Sequence, residues 1–86
     1  MLFYNRPMHE VRLYSRRNCH LCDVVKETLR QMESAADFSW QEVDIDSDPE
    51  LQRLYDQEVP VVFIDGHKAF KYRMDAREFL RRLERR

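Results

Sequence analysis

The chain has 86 residues, of which 43% are hydrophobic, 36% charged and 12% aromatic, and a formal net charge of −1. That length sets one domain, residues 1–86, with a small core, because a chain of this size buries only about 60% of its unfolded surface. No apolar run approaches the roughly 20 residues that cross a bilayer, and the single glycine, Gly66, excludes the glycine-rich loops that cradle dinucleotides and phosphates.

The opening Met1-Leu2-Phe3-Tyr4-Asn5-Arg6-Pro7 carries no basic leader and no long apolar stretch, so it does not read as a secretory signal. Residues 1–8 are expected to be a loosely ordered N-terminal extension, because regular patterning starts only after Met8. His9 to Ser15 alternates, with Val11 and Leu13 on one side and Arg12 and Tyr14 on the other, which predicts a strand. From Cys19 the period changes. Leu21, Val25, Leu29, Met32 and Ala36 share one face of a helix. Phe38 to Ile45 is aromatic and β-branched and predicts a second strand, with Phe38 and Trp40 in the core rather than on a stacking platform. Asp48-Pro49 starts a helix: the carboxylate caps free N–H groups and proline sits where its missing N–H costs nothing. Leu51, Leu54 and Tyr55 give that helix a short apolar stripe. Val61-Val62-Phe63-Ile64 is a buried strand by composition, and Asp65-Gly66 turns it into a brief partner around Lys68 to Phe70. The last helix opens with a capping box, Asp75-x-x-Glu78, and is expected to bury Ala76, Phe79, Leu80 and Leu83.

The order is β-α-β-α-β-β-α. A right-handed first crossover lays two parallel strands side by side, and the final hairpin adds at an edge. The expectation is an α/β fold: a four-stranded mixed sheet with helices on both faces. Charge is sorted along the chain. Residues 1–30 carry six basic and three acidic side chains, residues 31–65 one and ten, and residues 66–86 eight and three. Such sorting suits either an electrostatically selected partner or solvated faces of opposite sign. Arg77, Arg81, Arg82, Arg85 and Arg86 lie opposite the apolar stripe of the last helix without interleaved aromatics, so no nucleic-acid partner is expected. The acidic run from Glu42 to Glu50 lacks the glycine and spacing of a calcium loop.

Cys19-His20-Leu21-Cys22 stands where the first strand hands over to the first helix. A C-x-x-C pair puts two sulfurs one helical turn apart, within reach of a disulfide. The first cysteine meets unpaired N–H groups and the positive end of the helix dipole, which favour a thiolate. Arg16, Arg17 and His20 add positive charge. Cys19 is therefore the expected exposed nucleophile and Cys22 the resolving thiol. A zinc half-site needs more ligands, and His9 and His67 form no pair of their own; two structural cysteines at this spacing are the other alternative. With only two cysteines and no secretory signal, the expected compartment is the reducing cytoplasm. Val59-Pro60 directly precedes a strand, where proline is tolerated. Either the bond is cis, turning the Val59 N–H and C=O outward to pair with a substrate, or a trans proline merely ends the second helix.

Taken together, these segments resemble the glutaredoxin family of the thioredoxin-like fold, over nearly the whole chain from His9 to Leu83. The stretch from Val11 to Cys22 is similar to its first strand and active-site turn, Glu42-Val43-Asp44-Ile45-Asp46 to its second strand, and Val59 to Gly66 to its cis-proline strand and hairpin. The resemblance implies a glutaredoxin-type three-layer sandwich, a cis Pro60, a reactive Cys19 and dithiol–disulfide exchange. It also places Arg16 where a basic residue faces a glutathione carboxylate, and Asp75 at the end of the glutathione-binding Gly-Gly-x-Asp. Here that motif reads Tyr72-Arg73-Met74-Asp75, and His20-Leu21 replaces the usual Pro-Tyr, as in short glutaredoxin-like domains with a C-H-L-C type motif. Tyr72 and Arg73 would crowd the surface that glycines leave open, so glutathione is expected to act weakly.

The reading is a thiol–disulfide oxidoreductase acting through Cys19 and Cys22. Val59, Pro60, Arg16, Arg73 and Asp75 line its substrate site. Its expected partners are protein or small-molecule disulfides, with glutathione or a thioredoxin reductase as electron donor. It is expected to be a monomer with no tightly bound cofactor, no metal and no membrane contact. The alternatives are a weakly active binding module using the same groove and, less favoured without the glycines, an iron–sulfur cluster carrier.

Overall fold

Strand β1 (His9–Ser15) lies at the centre of a sheet of order β2-β1-β3-β4 in the computed structural model, which describes residues 7–84. Strand β2 (Phe38–Asp44) runs parallel to it, in register from His9 against Phe38 to Ser15 against Asp44. On its other side β3 (Val61–Ile64) runs antiparallel, with Val11 against Ile64 and Tyr14 against Val61. Strand β4 (His67–Lys71) completes the edge hairpin. Helix α1 (His20–Met32) makes the crossover from β1 to β2, α2 (Pro49–Tyr55) leads from β2 towards β3, and α3 (Ala76–Glu84) follows β4.

The alternation read in β1 decides which face meets which helix. Val11 and Leu13 point into a core with Val25 and Leu29 of α1, Val62 and Ile64 of β3, Met74, and Phe79 and Leu83 of α3. Each such side chain contributes about 1.5–3 kcal/mol by leaving water. Phe79 meets Phe38 edge to face at 5.1 Å. On the opposite face Tyr14 stacks on Tyr55 of α2 at 4.8 Å, with Phe63 edge-on to Tyr14 at 5.5 Å. Helices therefore cover both faces, as the element order predicts.

The hairpin turn uses left-handed backbone at Asp65 (φ 51°) and Gly66 (φ 83°), the requirement that Asp-Gly meets in a tight two-residue turn. Asp65 also fastens the turn to β1. Its carboxylate accepts from the Glu10 N–H at 2.9 Å and meets His9 Nδ1 at 2.7 Å, and its own N–H donates to the Glu10 carbonyl at 2.8 Å. His9 and then the Glu10 N–H hold the Asp65 carboxyl below its ordinary range.

Four local expectations change. Ile45 leaves the strand: it is wholly buried in a 3-10 turn, Ile45–Ser47, because the Asp44 carboxylate takes the Asp46 N–H at 2.9 Å. Helix α1 stops at Met32, although Ala36 beyond it still packs on the core. In α2 the stripe is incomplete, since Leu54 is 46% exposed and no residue of that helix is fully buried. In α3 only Phe79 and Leu83 are fully buried, with Ala76 and Leu80 half-buried at the margin. Phe38 and Trp40 pack against the core from half-buried positions, and the Trp40 ring N–H donates to the Glu33 carboxylate. Residues 1–6 of the expected N-terminal extension, and Arg85 and Arg86 of the basic face, lie outside the described residues. No described helix is long and apolar enough to cross a membrane.

Candidate active site

Three connections gather at the end of the sheet where β1 finishes. The first is the turn from Ser15 into α1. Asn18 adopts φ 56°, a left-handed conformation that asparagine tolerates better than most residues. The chain then reverses, and Cys19 becomes the N-cap of α1 (φ −116°, ψ 102°). Its sulfur accepts the Cys22 N–H at 3.2 Å and its carbonyl accepts the Asp23 N–H at 3.1 Å. Cys19 is half-buried, whereas Cys22 is 1% exposed. The two are joined as a disulfide with Cα atoms 5.2 Å apart, inside the ordinary range for a bridge.

Below this turn the buried Ser15 hydroxyl donates to the Glu42 carboxylate at 2.7 Å, and Lys26 Nζ reaches the same carboxylate at 3.0 Å. Burial opposes the charge on Glu42, but the Ser15 hydroxyl and the Lys26 ammonium outweigh it and hold the carboxyl below its ordinary range. This link fastens β1, β2 and α1 together one turn beneath Cys22. Sequence reading missed it, because the two strand residues and the helical lysine become neighbours only through the parallel register.

The second connection carries Pro60. The Val59–Pro60 bond is cis, as the resemblance implies. Continuing the register of Tyr14 against Val61 brings Pro60 beside Ser15, at the root of the cysteine turn. One expectation fails here. The Val59 N–H is not free for a substrate: α2 continues its hydrogen bonding past its last regular residue, and this N–H donates to the Tyr55 carbonyl at 3.2 Å.

Arg16 also departs from its expected role. Rather than standing open to an anion, its guanidinium bridges two carboxylates, Asp46 at 2.7 Å and Asp56 at 2.7 Å, and also donates to the Asp56 carbonyl at 3.2 Å. Hydrogen bonds to Asp46 and then Asp56 raise its pKa further, and both carboxyls are held low in return, chiefly by Arg16. The clamp ties the cysteine turn to the two ends of the α2 segment. Its only sequence signal was the acidic excess of residues 31–65.

The third connection, Tyr72 to Asp75, forms the far wall. Tyr72 has φ 71°, a left-handed backbone that glycine adopts freely and tyrosine at a cost of about 1–2 kcal/mol. It is held there by its N–H to the Pro60 carbonyl at 2.8 Å and its phenol O–H to the Gln57 carbonyl at 2.9 Å. Lys71 Nζ lies 5.4 Å from the ring centre. Arg73 is exposed. Asp75 caps α3 by accepting the Glu78 N–H at 2.9 Å. Among the described residues, no group of three His, Cys, Asp or Glu side chains is arranged to hold a metal ion.

Residues 10–84 match the family described as Glutaredoxin-like domain (DUF836). The chain belongs to that family. Among solved structures, this glutaredoxin-like domain is similar to protein Ne2328 from Nitrosomonas europaea: 28% identity over 98% of this chain and 100% of that one, with a TM-score of 0.77. The protein XcR50 from X. campestris is 34% identical over 86% of this chain and 95% of its own, with a TM-score of 0.69. A mutant thioredoxin from Halobacterium salinarum NRC-1 shares the fold at 16% identity, over 91% of this chain and 74% of its own, with a TM-score of 0.69. No curated protein matches. The family and the thioredoxin-like fold are therefore shown, and the C-x-x-C pair stands where that fold joins its first strand to its first helix.

Proposed function

We propose that this glutaredoxin-like domain reduces disulfides by dithiol exchange. One observation carries the reading: a half-exposed Cys19 caps α1, with a buried Cys22 in bridging distance one turn inside. In the reduced protein the Cys19 thiolate attacks one sulfur of a substrate disulfide. A Cys19–substrate bond forms, the substrate bond breaks, and the other substrate sulfur departs as a thiolate and takes a proton. Cys22 then loses its proton and attacks Cys19, closing the bridge and releasing the second substrate thiolate. Two electrons pass from protein to substrate, and an external thiol, glutathione or the dithiol of a thioredoxin reductase, returns them. The substrate rests against Pro60 and the Val59 carbonyl, with Arg73 beside it. Asp75 acts at one remove, holding the N-terminus of α3. The domain works as a monomer in the reducing cytoplasm without a resident cofactor.

Trapping tests this. With Cys22→Ser nothing displaces the bound partner, so mixed disulfides on Cys19 accumulate in lysate and resolve on non-reducing electrophoresis. Cys19→Ser is expected to trap almost nothing, because Cys22 is buried. Equal trapping by the two variants would reverse or dissolve the assignment, and none by either would favour a binding module.

The wall at Tyr72 predicts a second result. Activity in a glutathione-coupled assay should be weak, and Tyr72→Gly with Arg73→Gly should raise it about tenfold by opening the backbone to the tripeptide. The variant is expected to fold: relief of the left-handed tyrosine offsets the lost phenol hydrogen bond, each worth about 1 kcal/mol. Unmodified protein that already matches an ordinary glutaredoxin would refute the crowding argument.

A further inference from the structure

The charges around the cleft are unevenly satisfied. Three of its carboxylates meet cations: Asp46 and Asp56 meet Arg16, and Glu58 meets Lys68. Asp75 is spent on the α3 cap. Four cations are not. Arg17, Lys71, Arg73 and Arg77 are all exposed, and none of them meets a carboxylate among the described residues.

The fold brings these four to one end of the sheet. Lys71 pairs with Val61, which pairs with Tyr14, so two strand spacings, about 10 Å, separate Lys71 from the end of β1. Arg17 lies in the turn that follows β1, while Arg73 and Arg77 flank the α3 cap. Open positive charge therefore stands in the cysteine turn and across the cleft from it, on the side of β3, β4 and α3, with Tyr72 between Lys71 and Arg73 in the chain. That wall denies a small tripeptide its seat against the backbone. An extended chain crossing the rim still reaches the cations.

Building on the redox reading, we infer that the preferred substrate is a disulfide in an acidic polypeptide segment, selected by the rim of Arg17, Lys71, Arg73 and Arg77. The exchange is the one written above: the acidic segment leaves as two thiols and the domain as its Cys19–Cys22 disulfide.

The test uses the reduced domain and three peptides that share one intramolecular disulfide, flanked by glutamates, serines or lysines, with oxidised glutathione as a fourth substrate. At about 0.01 M salt, where the screening length is about 30 Å, the glutamate peptide should be reduced about tenfold faster than the serine peptide. The lysine peptide should be slowest, and the preference should fade at about 0.15 M. Oxidised glutathione, although anionic, should lag behind the glutamate peptide. Lys71→Glu with Arg73→Glu should invert the order. Arg30→Glu with Arg81→Glu, the same charge change at cations already paired within their own helices, should preserve it. Equal rates for the three peptides, an order unchanged by the rim variant, or glutathione as fast as the glutamate peptide would overturn the inference while leaving dithiol exchange intact. Reduction of none of them would overturn both.

Discussion

Phe79→Ala is expected to remove about 3–5 kcal/mol of stability, enough to unfold much of so small a domain. Phe79 is fully buried, lies edge-on to Phe38 and stands among Val11, Leu13, Leu29 and Met74, the side chains that join sheet, α1 and α3. Truncation loses the transfer energy of the ring and leaves a cavity that strands on one side and a helix on the other cannot close. Leu54→Ser supplies the contrast. Leu54 is 46% exposed on α2 and should change stability by no more than about 0.5 kcal/mol. Urea unfolding of the oxidised proteins measures both. A loss below about 1 kcal/mol for Phe79→Ala, or a comparable loss for Leu54→Ser, would contradict the placement of the core.

The fold was legible because its signals are local and agree. Alternation in β1, a helical stripe from Leu21 to Ala36, the Asp48-Pro49 start, the Asp65-Gly66 turn and the Asp75 cap each specify an element. Their order leaves few ways to build a sheet. The candidate site was legible only in part. Cys19 and Cys22 are three residues apart, so their relation is written in the chain. The partners of Arg16 are not: Asp46 and Asp56 stand 30 and 40 residues away and reach it only once the sheet has formed. A cis Pro60 is expected to turn the Val59 N–H outward, but the chain after α2 folds back so that this donor meets the Tyr55 carbonyl. Tyr72 was visible as a bulky replacement for glycine. That it keeps the glycine-like backbone, pinned by Pro60 and Gln57, is a tertiary fact.

These contacts also bear on the acidity of Cys19. Arg16 adds less than expected, since two carboxylates cancel its charge. What remains is the N-terminus of α1, the Cys22 N–H aimed at the sulfur, and the uncompensated Arg17. Each favours the thiolate, and cysteines in such settings titrate at about 3.5–7.5 against about 8.5 for a free thiol. Cys22, buried and remote from solvent, should titrate at or above the ordinary value.

The thiolate absorbance of Cys22→Ser, followed against pH in the reduced protein, therefore decides whether Cys19 is the nucleophile. Cys19 should show a midpoint below about 7.5, and Cys22 in the Cys19→Ser variant a higher one. A Cys19 midpoint at or above that of a free thiol, or the reverse order of the two, would remove Cys19 from that role.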